Sequence, residues 1–408
     1  MSFFRQVQFD PSNQSSFGTL ETNELSPMIQ GDFIYGLNTQ IWNTPGTSGT
    51  GATVDTSSGR ARIQSGTSST SYAYLVSRRI GKYRAGQGVL FRITPIFTAG
   101  VVNNIQLWGV GSIASNAPYD GYFFGYNGTA FSIVHYIAGT PTWTAQDRWN
   151  GDKVDGTAGT SFTWDPTKGT PVMIKYPYLG YGNIQFYIQN PNTSKMTLVH
   201  TIRYANSTAT IQLTNPNLNI IGFTANSGNT TNMTMYCGSV GLFISGARNF
   251  ISNPRWSTNN TKSGVTAETN ILSLRSATTY NTVTNRSLIR LTSLSIGSDS
   301  ATVTTGIILF RIGATVGGSP SFAAISGTTV NSGVTITSGN SITSVDTAGT
   351  TATAGTLIFS IGLVTQKELF IDLMPYEFFI APTEILTISG SAAASASFVV
   401  GINWSEDI

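Results

Sequence analysis

Hydrophobic and polar positions alternate with a period of two along most of the chain. Arg286-Ser-Leu-Ile-Arg-Leu-Thr-Ser-Leu-Ser-Ile296 is a clear instance, and Ala73–Ser77, Asn104–Ser112, Tyr119–Tyr126, Ala130–Ile137, Val172–Tyr178 and Asn183–Gln189 follow the same rule. Period two places successive side chains on opposite faces of a strand. No stretch of twelve or more residues carries a 3.6-residue period with capping residues, so helix is not expected to contribute to the fold. Asn127-Gly128 stands between two alternating runs and predicts a tight hairpin, because both central residues of such a turn need positive φ. Asn150-Gly151, Asp155-Gly156 and Asp165-Pro166 mark Trp143–Lys168 as turn-rich.

The pattern divides the chain. Residues 1–34 space their apolar side chains irregularly and contain Pro11 and Pro27, so they read as an extended arm. Phe3, Phe4, Phe9 and Phe17 are the residues through which such an arm would pack on a neighbouring subunit or particle partner. About ten strands at short spacing fill residues 35–246 and predict a β-sandwich of jelly-roll, lectin-like type. Residues 247–267 are polar and broken by Pro254, as a linker would be, and residues 268–408 return to strands and predict a second β-sandwich. Within it, Ser326–Thr353 is nearly pure Ser, Thr, Gly and Val, but recurring Val and Ile point to thin strands rather than disorder. The fold class is therefore all-β.

Composition changes the picture in one respect. Only 10% of the 408 residues are charged, against 40% hydrophobic, with a net charge of +3. An ordinary soluble domain carries roughly 25% charged residues. The 22 Phe, 16 Tyr and 7 Trp exclude disorder, and the small net charge excludes a nucleic-acid footprint. Arg78, Arg79, Lys82 and Arg84 form the one basic cluster, read as a strand edge kept apart from others by charge. No apolar run is long enough to span a membrane as a helix, and the N-terminus lacks the pattern of a signal peptide. A single cysteine, Cys237, excludes an intrachain disulfide.

Candidate chemistry is sparse. His135 and His200 both sit in strand patterns and read as structural. No Cys/His spacing suits zinc, and no nucleophile elbow or phosphate-cradling loop occurs, so no cofactor, metal or catalytic residue is expected. The enzyme alternative is a glycan-cleaving hydrolase using two of Asp147, Asp152, Asp155 and Asp165, which crowd one region. All four stand in turn contexts, where Asp is favoured for its own backbone hydrogen bonds. Aromatic residues offer a different function. Tyr119, Tyr122, Trp143 and Trp149 are candidates for stacking on a glycan or filling a subunit interface, to the extent that the core does not claim them.

Several segments resemble a family of structural proteins of large double-stranded DNA viruses, including tailed phages. They are Lys82-Tyr-Arg-Ala-Gly-Gln-Gly88, Gly121-Tyr-Phe-Phe-Gly-Tyr-Asn-Gly128, Trp149-Asn-Gly-Asp-Lys-Val-Asp-Gly156, Asp165-Pro-Thr-Lys-Gly169, Leu198-Val-His-Thr-Ile-Arg-Tyr-Ala-Asn206 and the stretch from Ile271 to Glu406. The resemblance covers most of the chain beyond the arm. It implies a non-enzymatic virion component, such as a head fibre, capsid decoration or tail adhesin, and carries over no catalytic residue. The expected partners are copies of the chain, as a homotrimer, other virion proteins, and a host surface glycan in the alternative reading. Homo-oligomerisation also follows from the apolar runs Gly88–Phe91, Gly306–Phe310 and Ala396–Trp404, which need burial on both faces in a chain with few charges.

Overall fold

β-branched and aromatic residues at alternating positions favour pleated, half-buried strands, and a computed structural model of the chain is built from little else. It describes residues 14, 15, 20, 22, 24–43, 46–247, 253–298, 304–331, 334–364 and 367–408. Phe3, Phe4, Phe9 and Phe17 of the expected arm lie outside the described residues. Among the described residues the helical content is two 3-10 turns, Gln146–Arg148 and Met374–Tyr376. The chain divides into two compact units, residues 1–248 and 249–408.

The first unit contains β1 (Leu25–Asp32), β2 (Gly46–Ser48), β3 (Thr53–Ser57), β4 (Arg60–Gln64), β5 (Tyr72–Val76), β6 (Val89–Ile96), β7 (Asn104–Ala114) and β8 (Ala117–Asn127). It continues with β9 (Ala130–Ile137), β10 (Thr140–Ala145), β11 (Val172–Tyr176), β12 (Ile184–Gln189), β13 (Met196–Ile202), β14 (Asn219–Asn226) and β15 (Thr234–Ser245). An eight-stranded sheet runs β13-β12-β11-β6-β15-β4-β3, with β1 also paired to β15, and a seven-stranded sheet runs β10-β9-β8-β7-β14-β5-β2. Their inner faces enclose one core, with Trp42, Phe91, Trp108, Tyr122, Phe124, Tyr176 and Phe186 at its centre. Each such ring withdrawn from water contributes about 2–3 kcal/mol. The turn joining β8 to β9 is Gly128-Thr129, one residue later than the Asn-Gly pattern predicts: Asn127 pairs with Ala130 inside the ladder, and of the two loop residues only Gly128 has positive φ, +61°. Pro95, which has no N–H to give a ladder, sits where β15 bulges against β6.

The arm ends earlier than its pattern suggests. Leu25–Asp32 is a full strand of the eight-stranded sheet, antiparallel to β15, and its register shifts between Pro27 and Ile29. The proline that argued against a strand is absorbed by that irregularity. Further upstream, Gln14 lies against the same unit: its carbonyl accepts a hydrogen bond of 2.8 Å from Lys175 Nζ.

The second unit pairs its strands in two sheets. One runs Arg255–Val265, Ala396–Glu406, Ile289–Ser298, Glu368–Asp372, and the other Ala323–Asn331, Val334–Asp346, Thr269–Ser276, Ile385–Ala392, Thr305–Ile312, Thr356–Val364. The expected linker is therefore half strand. Arg255–Val265 pairs with the C-terminal strand along its whole length, and its side chains alternate between exposed and half-buried. It looked like a linker because an edge strand with one solvated face carries few apolar residues. The Ser/Thr/Gly-rich segment forms a hairpin whose Ile342 and Val345 reach the core.

Buried acid chemistry ties this unit together. Glu406, on the C-terminal strand, is fully buried. Its carboxylate accepts from Thr343 Oγ1 at 2.8 Å, the Ile342 amide at 3.0 Å, Trp404 Nε1 at 3.1 Å and the Ser341 hydroxyl. Three of those donors belong to Val334–Asp346 in the opposite sheet, so one carboxylate links both layers. Glu406→Ala leaves these buried donors unsatisfied. It is expected to destabilise the second unit by about 3 kcal/mol, read as a lowered urea midpoint, with the first unit's transition unmoved. An unchanged midpoint would show that the carboxylate does not join the sheets.

Candidate functional site

The residues singled out in the sequence separate by strand parity. Tyr122 alternates with Gly121 and Phe123 on β8 and points inward. It is fully buried, with its ring 5.7 Å from that of Tyr176. Trp149 is also a core residue, donating its indole N–H to the Thr144 carbonyl at 3.1 Å. Neither can meet a ligand or a second subunit, and both are core side chains rather than glycan or interface aromatics. Trp143 packs on the outer face of the seven-stranded sheet, and Tyr119 lies where β8 bulges against β7; both are half-buried.

That outer face is a closed layer. One row of paired positions crosses it as Trp143, Val134, Phe123, Gly109, Ile221 and Val76. Phe123 lies across a floor of glycines: a Cβ at Gly109 or Gly111 would come within 2.8 or 2.5 Å of its ring. Phe123, Leu107, Val134 and Ile221 are fully buried, and Tyr136 and Phe223 nearly so. Trp143 packs edge-on to Tyr136, centroids 6.4 Å apart. These rings serve packing within the layer, with Trp143 at its margin.

Three of the four carboxylates of the turn-rich region are consumed locally, and Asp147 is exposed. Asp152 accepts from the amides of Val154 and Ser161. Asp155 accepts from the amide and hydroxyl of Thr157, and Asp165 from those of Thr167. These hydrogen bonds hold Asp155 and Asp165 below the usual carboxylate range. A glycosidic general acid requires the opposite shift. Among the described residues no group of three or more His, Cys, Asp and Glu side chains is placed to hold a metal ion. Cys237 is buried, which pushes its thiol far up and leaves it unreactive.

A groove of about 900 Å³ opens on the outer face of the eight-stranded sheet, over β1, β15 and β6. Its floor follows the paired positions Arg92, Gly241 and Gln30. The Phe243 ring packs over Gly241, where a Cβ would come within 2.6 Å of it. Asp32, Asn38, Thr94, Pro171, Met196 and Ser239 complete the walls. The loop after β1 supplies the rim. Phe33 is buried and stacks on Trp42 at 5.3 Å, the Gly36 amide closes a turn on the Phe33 carbonyl, and Asp32 Oδ1 accepts from the Ile34 amide. Anchored at both ends, the loop pushes Tyr35 into solvent at 99% exposure. Arg92 is exposed and engages no acceptor among the described residues. Sequence reasoning passed over Tyr35 and Arg92, one standing at the first position of the sandwich domain and one in a strand interior. The only local signal was an aromatic residue before Gly36 in a polar turn.

No protein-family model matches the chain, and no curated protein matches it in sequence. Solved structures that resemble it include the Emp47p carbohydrate recognition domain, at 11% identity over 55% of this chain and 98% of that one, TM-score 0.35. A Bacillus licheniformis β-glucanase shows 13% identity over 53% and 99%, TM-score 0.34. The lectin UEA-II in complex with galactose shows 11% over 54% and 100%, TM-score 0.34. The protein is thus all-β, built of sandwich sheets, with lectin-like domains among its structural neighbours.

Both histidines are held neutral by burial. His200 accepts a hydrogen bond from the Asn150 amide through Nδ1 at 3.3 Å, and burial, assisted by the charge of Arg203, lowers its pKa from 6.5 to about 4. Above pH 6.5 it is neutral folded or unfolded, so its contribution to stability is complete. As pH falls from 6.5 towards 4 the unfolded chain takes the proton first, and that stability is lost. The thermal midpoint of the first unit is expected to fall across this window, and less so in His200→Gln. Equal slopes in the two proteins would refute the assignment.

Proposed function

We propose that this chain is a non-catalytic, self-associating structural protein displayed on a particle surface, and that its second unit supplies the contacts between copies. The observation that carries this reading is an unprotected apolar edge. Thr356–Val364 and Glu368–Asp372 are each the last strand of their sheet. Phe370 is 69% exposed, and Leu357, Val364, Leu369, Met374 and Tyr376 are exposed beside it. Phe359 joins the two strands' surroundings, with ring centroids 5.2 Å from Tyr376 and 5.3 Å from Phe378. Thr356–Val364 carries neither charge nor proline, the devices that ordinarily keep a sheet edge from pairing.

The outer face of the sheet that ends in Glu368–Asp372 is built of small residues: Ser257, Asn403 and Ser293, then Asn259, Gly401 and Ser295, then Thr261, Val399 and Gly297. Those rows end on Asp372, Phe370 and Glu368, so Phe370 stands out from small neighbours with a carboxylate on either side. A head-to-tail contact between copies closes into a ring where the rotation between them allows it. This supports a homotrimer, with a dimer as the second choice. The turn-bound carboxylates support the absence of catalysis. The segments resembling viral structural proteins make the particle a virion in this reading.

Light scattering on the purified chain at about micromolar concentration tests the proposal, since interfaces of ordinary size hold together there. The expected mass is three times that of the chain. Phe370→Glu, at a solvent-exposed position, is expected to yield a folded monomer. A wild-type chain that is monomeric and soluble contradicts the reading.

A further inference from the structure

The groove on the first unit is independent of the apolar edge on the second, and its chemistry differs. Tyr35 offers the flat face of a ring that none of the described residues covers. Arg92 presents hydrogen-bond donors with no acceptor spent on them among the described residues. Asp32 uses one carboxylate oxygen on the Ile34 amide, and no donor is recorded for its second oxygen. Gln30 adds an amide with both a donor and an acceptor, and between Gln30 and Arg92 the Phe243 ring lies over Gly241 as an apolar part of the floor. The groove thus combines an aromatic platform, a planar cation, a carboxylate and an amide over a shallow, partly apolar floor.

We infer that this groove binds an uncharged oligosaccharide. A pyranose ring has an apolar face of C–H groups, which suits stacking on Tyr35. Its edge carries vicinal hydroxyls that donate and accept at once, which suits Asp32 as acceptor, Arg92 as donor and Gln30 as both. A peptide strand would need a sheet edge for its backbone, and this groove lies on a sheet face. A carboxylated sugar would meet Asp32 as well as Arg92. The pair balances in charge, which favours a neutral ligand over an anion or a cation.

The test uses the full chain and an array of neutral oligosaccharides ending in glucose, galactose, mannose or N-acetylhexosamine, beside sialylated and uronic-acid-containing ones. The strongest neutral binder is then titrated by calorimetry into wild type, Tyr35→Ala, Arg92→Ala and the control Tyr181→Ala, whose ring is exposed elsewhere on the unit. At least one neutral class is expected to bind, with Tyr35→Ala and Arg92→Ala each weakening it about tenfold or more and Tyr181→Ala leaving it unchanged. Tyr35 makes no packing contact that its loss would break, so folding is retained, and the melting curve verifies it. Absence of neutral binding up to about 10 mM overturns the inference. So does binding confined to acidic glycans, or binding indifferent to both variants. Self-association is read separately, from the mass of the Phe370→Glu chain, so a failure of sugar binding overturns the inference while the proposed function stands.

Discussion

Every open β-sheet must dispose of the backbone groups along its outermost strands, and a chain with 10% charged residues has few of the usual means to do so. The first unit solves this internally. Asn150–Asp152 lays backbone alongside β13, with Gly151 and Asp152 donating to the carbonyls of Val199 and Leu198, and the Asn150 side chain accepting from the Thr201 amide. The far strand of the same sheet, β3, carries the Arg62–Asp55 ion pair at 2.7 Å. In the other sheet β10 contains Pro141 and β2 is three residues long. In the second unit Arg255–Val265 is a polar edge, whereas Thr356–Val364 carries neither charge nor proline, and Glu368–Asp372 is charged only at its two ends around Leu369, Phe370 and Ile371. That asymmetry is the basis for assigning self-association to the second unit and recognition to the first.

Much of the fold was legible because strand alternation is local. The hairpin between β8 and β9, the runs around Val89 and Ile308, and the thin strands near Ile342 and Val345 follow from residue types and spacing alone. The boundaries failed where one residue type serves two purposes. Polar residues in Arg255–Val265 mark a solvated strand face as well as they mark a linker. Pro27 reads as a ladder break until the register shift beside it is seen.

The candidate site was less legible, because parity fixes that neighbours face opposite ways without saying which way is inward. Tyr119 and Tyr122 stand three residues apart with a β-bulge between them, so spacing alone does not assign their faces. Trp149 was claimed by the core through its bond to Thr144, a contact no spacing announces. Tyr35 and Arg92 are 57 residues apart and meet only because β1 and β6 both pair with β15. Such convergence belongs to topology. The turn character of Asp155 and Asp165, by contrast, was readable, since Asp before Gly or Pro favours its own backbone, and Asp152 follows the turn pair Asn150-Gly151.

The account stands or falls on the second unit's bare edge. Hydrogen exchange of backbone amides, followed across a dilution series, measures that edge directly. Amides of Thr356–Val364 and Glu368–Asp372 that lack a partner within the chain are predicted to exchange slowly in concentrated protein and quickly after dilution, while the edge strands of the first unit keep their rates. Rates along Thr356–Val364 that are fast and independent of concentration would contradict burial between copies, and with it the proposed assembly.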